Sequence, residues 1–100
     1  MIKDSYMKKE DKENQERKKH YAYMLKCSDN SIYSGYTTDP HRREKAHNDG
    51  KGAKYTKTRR PVKLVYFEEF DNKIDAMKRE YAFKQYTHKE KEDIIKNSSK

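Results

Sequence analysis

Tryptophan is absent from this chain, cysteine occurs once, and proline and glycine number only two and three. The single thiol, Cys27, excludes an intrachain disulfide and a cysteine-rich zinc site. The four histidines, His20, His41, His47 and His88, are not spaced as metal-ligand pairs. Long apolar runs are missing too. Nothing approaches the roughly 18 residues of a membrane span, and the first residues carry no apolar signal segment. The expectation is a cytoplasmic protein with no membrane association. Apolar residues make up only 31% of the 100 positions, so the core must be small and must draw on the nine tyrosines.

Charge is what the chain has in abundance. Charged residues reach 42%, with a formal net charge of +8 and an isoelectric point near 9.5. An anionic partner follows, nucleic acid first. The excess is not confined to the start. Residues 1–19, a mixed-charge run with no apolar residue after Met7, hold +2 of it, and the remainder keeps +6. We read 1–19 as a charged flexible tail, 20–97 as one folded domain and 98–100 as a frayed end.

Two stretches, 20–27 and 31–36, are rich in aromatic residues and bounded by turn formers, which predicts strands. A three-residue loop, Ser28-Asp29-Asn30, would place Tyr23 and Tyr33 on one face, whereas a two-residue loop would oppose them. The longer loop needs a left-handed third residue, a conformation asparagine tolerates. Asp39-Pro40 predicts a helix start, with Asp as cap and Pro in the first turn. That helix runs to about Asn48 and places Arg43 and His47 on one face. Residues 50–61 form a basic loop, and Val62–Phe70 a third strand. Asp71 or Asn72 caps a second helix to about Tyr86. Its broad apolar face would join Ile74, Ala76, Met77, Tyr81 and Phe83, with Glu80 in the middle. Thr87 and Glu90 form a capping box opening a third helix with Ile94 and Ile95. The fold class is therefore α+β, a three-stranded antiparallel sheet flanked by three helices.

Tyr21-Ala22-Tyr23, then Tyr33-Ser34-Gly35, then Arg43, His47 and Glu80 stand in an order and at spacings that resemble the GIY-YIG nuclease domain. The likeness is strongest to its small single-domain bacterial members, related to excision-repair and intron-encoded endonucleases, and covers Tyr21 to about Ile95. Tyr21 stands where the name-giving motif has glycine, as in that small subgroup. The resemblance implies a metal-dependent endonuclease in DNA repair or recombination, with DNA as partner and one Mg²⁺ or Mn²⁺ ion. Catalytic roles fall on Tyr23, Tyr33, Arg43 and His47, metal binding on Glu80, and a structural role at the site on Gly35. Tyr36, Lys54, Tyr55, Thr56 and Arg59 are further candidates for DNA contact.

These residue types suit the chemistry. A guanidinium offers forked donors to a phosphorane gaining negative charge. One carboxylate with waters and phosphate oxygens suits Mg²⁺. Either tyrosine is a candidate to activate or hold the water. His47 serves equally well as a packed helix histidine. An alternative is a nucleic-acid-binding module without catalysis, carried by the basic charge and interleaved tyrosines. The first helix, with Pro40 and Glu44 where apolar docking residues would be expected, leaves room for a homodimer or a protein partner.

Overall fold

The computed structural model describes residues 18–98; the tail and frayed-end expectations for 1–17 and 99–100 lie outside the described residues. Three strands, β1 (His20–Lys26), β2 (Ile32–Thr37) and β3 (Lys63–Phe70), form one antiparallel sheet in the order β2-β1-β3. Two helices lie between β2 and β3, α1 (Pro40–Asn48) and the single turn α2 (Lys54–Lys57), and two follow β3, α3 (Lys73–Gln85) and α4 (His88–Ser98). The expected basic loop thus contains one turn of helix. A four-residue segment has too few positions to show a helical period, so the pattern could not reveal it.

The β1–β2 hairpin closes around Ser28-Asp29-Asn30. Cys27 N–H donates to the Ser31 carbonyl at 2.9 Å, and Asn30 takes the left-handed conformation with φ 72°. Asp29 braces the turn by accepting from Ser31 N–H and Oγ–H at 3.0 and 2.6 Å. The register that results sets Tyr23 opposite Gly35 and Leu25 opposite Tyr33, so Tyr23 and Tyr33 do share a face. Pairing of β1 with β3 slips between Met24 and Leu25, where Val65 is an extra residue on β3.

Alternation divides the core into two layers. Ala22, Met24 and Ile32 face α3 and α4, where Phe83 is fully buried and Tyr66, Tyr86, Ile94 and Ile95 pack around it. Tyr23, Leu25, Cys27 and Val62 face the other way, with Tyr33 and Leu64 beside them. On the first side the Thr87–Glu90 capping box holds α4, with reciprocal bonds of 2.8 and 3.1 Å. Arg79 of α3 forks onto Glu68 of β3 at 2.9 and 3.2 Å, over the Phe83 ring.

Helix α3 corrects an expectation. Ala76 and Phe83 are buried, but Ile74, Met77 and Tyr81 remain 68%, 45% and 66% exposed. On a helix wheel the two groups form separate stripes, and the sheet covers only one of them. Glu80 sits on the boundary between the stripes, its side chain 17% exposed.

Helix α1 starts as expected. Asp39 accepts from the Arg42 N–H at 3.2 Å, Pro40 is buried, and Gly50 adopts φ 82° just beyond the C-terminus. Its docking, however, is polar. Glu44 accepts the Leu64 N–H at 2.7 Å, at the free edge of β3. One turn on, the Asn48 side chain accepts from Val62 N–H at 2.7 Å and donates to Val62 C=O at 3.0 Å. Side-chain hydrogen bonds to strand backbone replace the missing leucines. Replacing Glu44 by alanine would strand the Leu64 N–H beneath α1, at a cost of about 1–3 kcal/mol. Glu44→Gln keeps an acceptor and should lose much less; urea unfolding midpoints of the two variants check the ranking.

Candidate active site

The layer beneath α1 and α2 gathers most of the residues singled out above. Tyr23 lies at its centre, 1% exposed. Its hydroxyl is 3.0 Å from His47 Nε2, and His47 Nδ1 is 2.7 Å from Thr56 Oγ1. Thr56 Oγ1 in turn donates to the Ala53 carbonyl at 3.0 Å. His47 and Thr56 are both fully buried. Sequence proximity explains the second contact: α1 ends, the chain turns through Gly50 and Gly52, and α2 brings Thr56 back beneath the imidazole. A side chain on Gly52 would overlap the His47 ring. Gly35 likewise leaves the space that the Tyr23 phenol fills from the neighbouring strand.

The ring of Tyr33 lies 6.5 Å from that of Tyr23 and 5.4 Å from His47, centre to centre. Tyr55 stacks on its outer side at 5.9 Å with an interplanar angle of 22°. The Arg59 guanidinium covers the far face of Tyr55 at 3.8 Å.

Electrostatics couples these groups. Burial pushes the Tyr23 phenol up to about 12, while the adjacent Arg43 guanidinium works against that rise and the charges of Tyr33 and Glu80 add to it. Burial, reinforced by Arg43, pulls His47 down to about 4, so the imidazole is neutral at pH 7. Glu80, reaching in from α3, is paired with Lys84 at 2.7 Å. This pairing raises the Lys84 ammonium, which Tyr33 also influences. Tyr23, Tyr33, Arg43, His47, Gly35 and Glu80 therefore fall within one neighbourhood.

Several expected DNA contacts do not fall there as read. Thr56 is enclosed and hydrogen-bonded to His47, so it cannot meet a ligand; no signal short of the folded loop marked it as buried. Tyr36 points to the opposite face, where it stacks on His20 at 6.0 Å and its hydroxyl meets His20 Nδ1 at 2.7 Å. Strand alternation alone sends it there, since it pairs with Ala22. Arg59 has its guanidinium committed to Asp29 Oδ2 at 3.0 Å and to the Tyr55 carbonyl at 2.8 Å. Lys54 and the edge of Tyr55 remain exposed.

Comparison with known proteins places the chain in a family. The model of the GIY-YIG catalytic domain matches residues 19–93. The chain belongs to the GIY-YIG family. It is 58% identical over 80 residues to the UPF0213 protein YazA of Bacillus subtilis (strain 168), covering 80% of this chain and 81% of that protein. The UPF0213 protein SH2523 of Staphylococcus haemolyticus (strain JCSC1435) is 57% identical over 77 residues, which are 77% and 94% of the two chains. Among solved structures, protein EF2693 from E. faecalis shares the GIY-YIG-like architecture at a TM-score of 0.55 and 46% identity, covering 83% of this chain and 88% of that one. The UPF0213 protein BH0048 from Bacillus halodurans gives 0.51 and 47%, over 78% and 83%.

The buried neutral imidazole makes an acid-stability prediction. An unfolded histidine takes its proton near pH ~6.5, whereas His47 in the fold takes one only near 4. Between these values the unfolded chain binds the extra proton, so acidification favours unfolding. The loss begins below about pH 6.5 and is complete near 4. Its size from this residue is on the order of 3 kcal/mol at most. Urea denaturation across that range should show the decline, and His47→Gln should flatten it.

Proposed function

We propose that this chain is a DNA endonuclease that hydrolyses phosphodiester bonds with the help of one divalent ion, Mg²⁺ or Mn²⁺. The observation that carries the reading is convergence. Two phenols from β1 and β2, a guanidinium from α1 and a carboxylate from α3 act on one another across a single patch. Membership of the GIY-YIG family supports the same reaction class.

Each residue has a chemical task in this reading. Arg43 has no carboxylate partner among the described residues. It is free to meet a phosphate, whose transition state gains charge that a forked cation stabilises. Burial raises the Tyr23 phenol and lowers the His47 imidazole, so the proton between them stays on the phenol. His47 is thus a positioning residue that fixes the Tyr23 hydroxyl, and the enclosed Tyr23 is in turn the floor against which Tyr33 and Arg43 are set. Tyr33 carries no hydrogen bond on its hydroxyl among the described residues and lies within the influence of Lys84. It is the phenol assigned to the attacking water: with its own proton released to solvent, the phenolate would accept the proton of that water.

Glu80 fits a single hard cation. It is largely enclosed, its charge reaches Tyr23, and an ammonium already sits on it. Among the described residues no group of three acidic, histidine or cysteine side chains forms a closed metal cage. Phosphate oxygens and water must therefore complete the shell, as Mg²⁺ allows. Such an ion, when bound, polarises the phosphate and favours departure of the alkoxide.

A domain of this size has few elements with which to read base edges, so flexible, single-stranded or branched DNA in repair or recombination is the substrate class. A second reading, binding without catalysis, takes its support from the Lys84 pairing, which satisfies Glu80 with no metal. A panel of single-stranded, duplex and branched DNA with Mg²⁺, Mn²⁺ or chelator separates them. The nuclease should cut only with metal, and Arg43→Ala or Glu80→Ala should each lower the rate by about 10²-fold or more. Cleavage unchanged in both variants overturns the assignment.

A further inference from the structure

Beside the reacting patch lies a second concavity of about 360 Å³, between the end of β2, the start of α1 and the segment after it. Thr37, Thr38, Arg42, Arg43 and Lys51 line it, with the Asp39 cap at one side. Arg43 belongs to both places: it forms part of this wall and it acts on the Tyr23 phenol.

The cations here differ from many of those elsewhere. Lys19, Lys26, Lys45, Arg59, Arg79, Lys84 and Lys89 are ion-paired. Arg60 donates to the carbonyls of Lys57 and Asn48. Among the described residues, Arg42, Arg43 and Lys51 form no ion pair, although they converge on one cleft. The one acid at the rim, Asp39, is engaged through Oδ1 by the Arg42 backbone N–H. Three cations thus face one carboxylate, and a bound anion relieves the repulsion of the surplus. The two threonine hydroxyls add neutral donors of the kind that accompany phosphate contacts.

We propose that this cleft holds a backbone phosphate of the nucleic-acid strand adjacent to the one that reacts, with Arg42 and Lys51 as its cations. The inference rests on the nuclease reading for the strand's destination, but not for its binding. Arg43 joins the two sites, so a strand seated in the cleft leads directly to the phenol pair. The cleft then sets the path of the strand and contributes affinity rather than chemistry.

The test is fluorescence anisotropy of a labelled single-stranded oligonucleotide bound to the full chain, in chelator and over a range of salt. Arg42→Ala/Lys51→Ala is compared with Lys26→Ala/Lys89→Ala, which removes the same charge from paired positions away from the cleft. The cleft variant should bind about tenfold more weakly at moderate salt. Its plot of log affinity against log salt should be shallower by about 0.7, the value for one single-strand phosphate contact. The control pair should move affinity less than about twofold. Equal losses in both variants, or no binding by the wild type, overturn the proposal. Cleft-dependent binding without any cleavage by the wild type in metal would leave it standing while removing the nuclease reading.

Discussion

The hydrogen-bond chain from Tyr23 through His47 and Thr56 to the Ala53 carbonyl is the constraint on which the rest of this molecule turns. It ties β1, α1 and α2 together where a larger protein would place aliphatic side chains. With so few apolar residues available, one of the two layers has a polar centre. Such a centre is stable only when its members are satisfied, because a lone buried donor or acceptor costs more than a formed bond returns. Here the phenol, both imidazole nitrogens and the hydroxyl all have partners. The candidate site is thus built from the same contacts that hold the layer closed.

On the α3 and α4 side, Arg79 is locked to Glu68, Lys26 to Glu92 and Lys84 to Glu80. Around α1, Arg43 keeps its charge unspent while biasing its neighbours. It helps keep the imidazole neutral and offsets part of the cost of a buried phenolate. The guanidinium thus adds to the effect of burial at the imidazole and opposes it at the phenol.

Local rules made much of this readable from the residues. The left-handed turn at Asn30, the Asp39-Pro40 helix start, the Thr87–Glu90 capping box and the shared face of Tyr23 and Tyr33 each depend on a few neighbouring positions. The family resemblance named the phenols, the guanidinium and the acid, and they lie together. What stayed hidden depends on distant partners. Glu44 looks like a surface acid until β3 presents Leu64 N–H to it. Thr56 looks like a basic-loop residue until α2 folds under His47. The apolar positions of α3 read as one face because the pattern does not say that the sheet covers only the Ala76 and Phe83 stripe.

The absence of a side chain at Gly35 has an implication for how such a site changes over generations. The Tyr23 ring occupies the volume that any larger residue at 35 would claim. The two positions, twelve apart in the chain but opposite one another across the strands, cannot vary independently. A lineage that enlarges one must first shrink the other, and in doing so it surrenders the hydroxyl that meets His47.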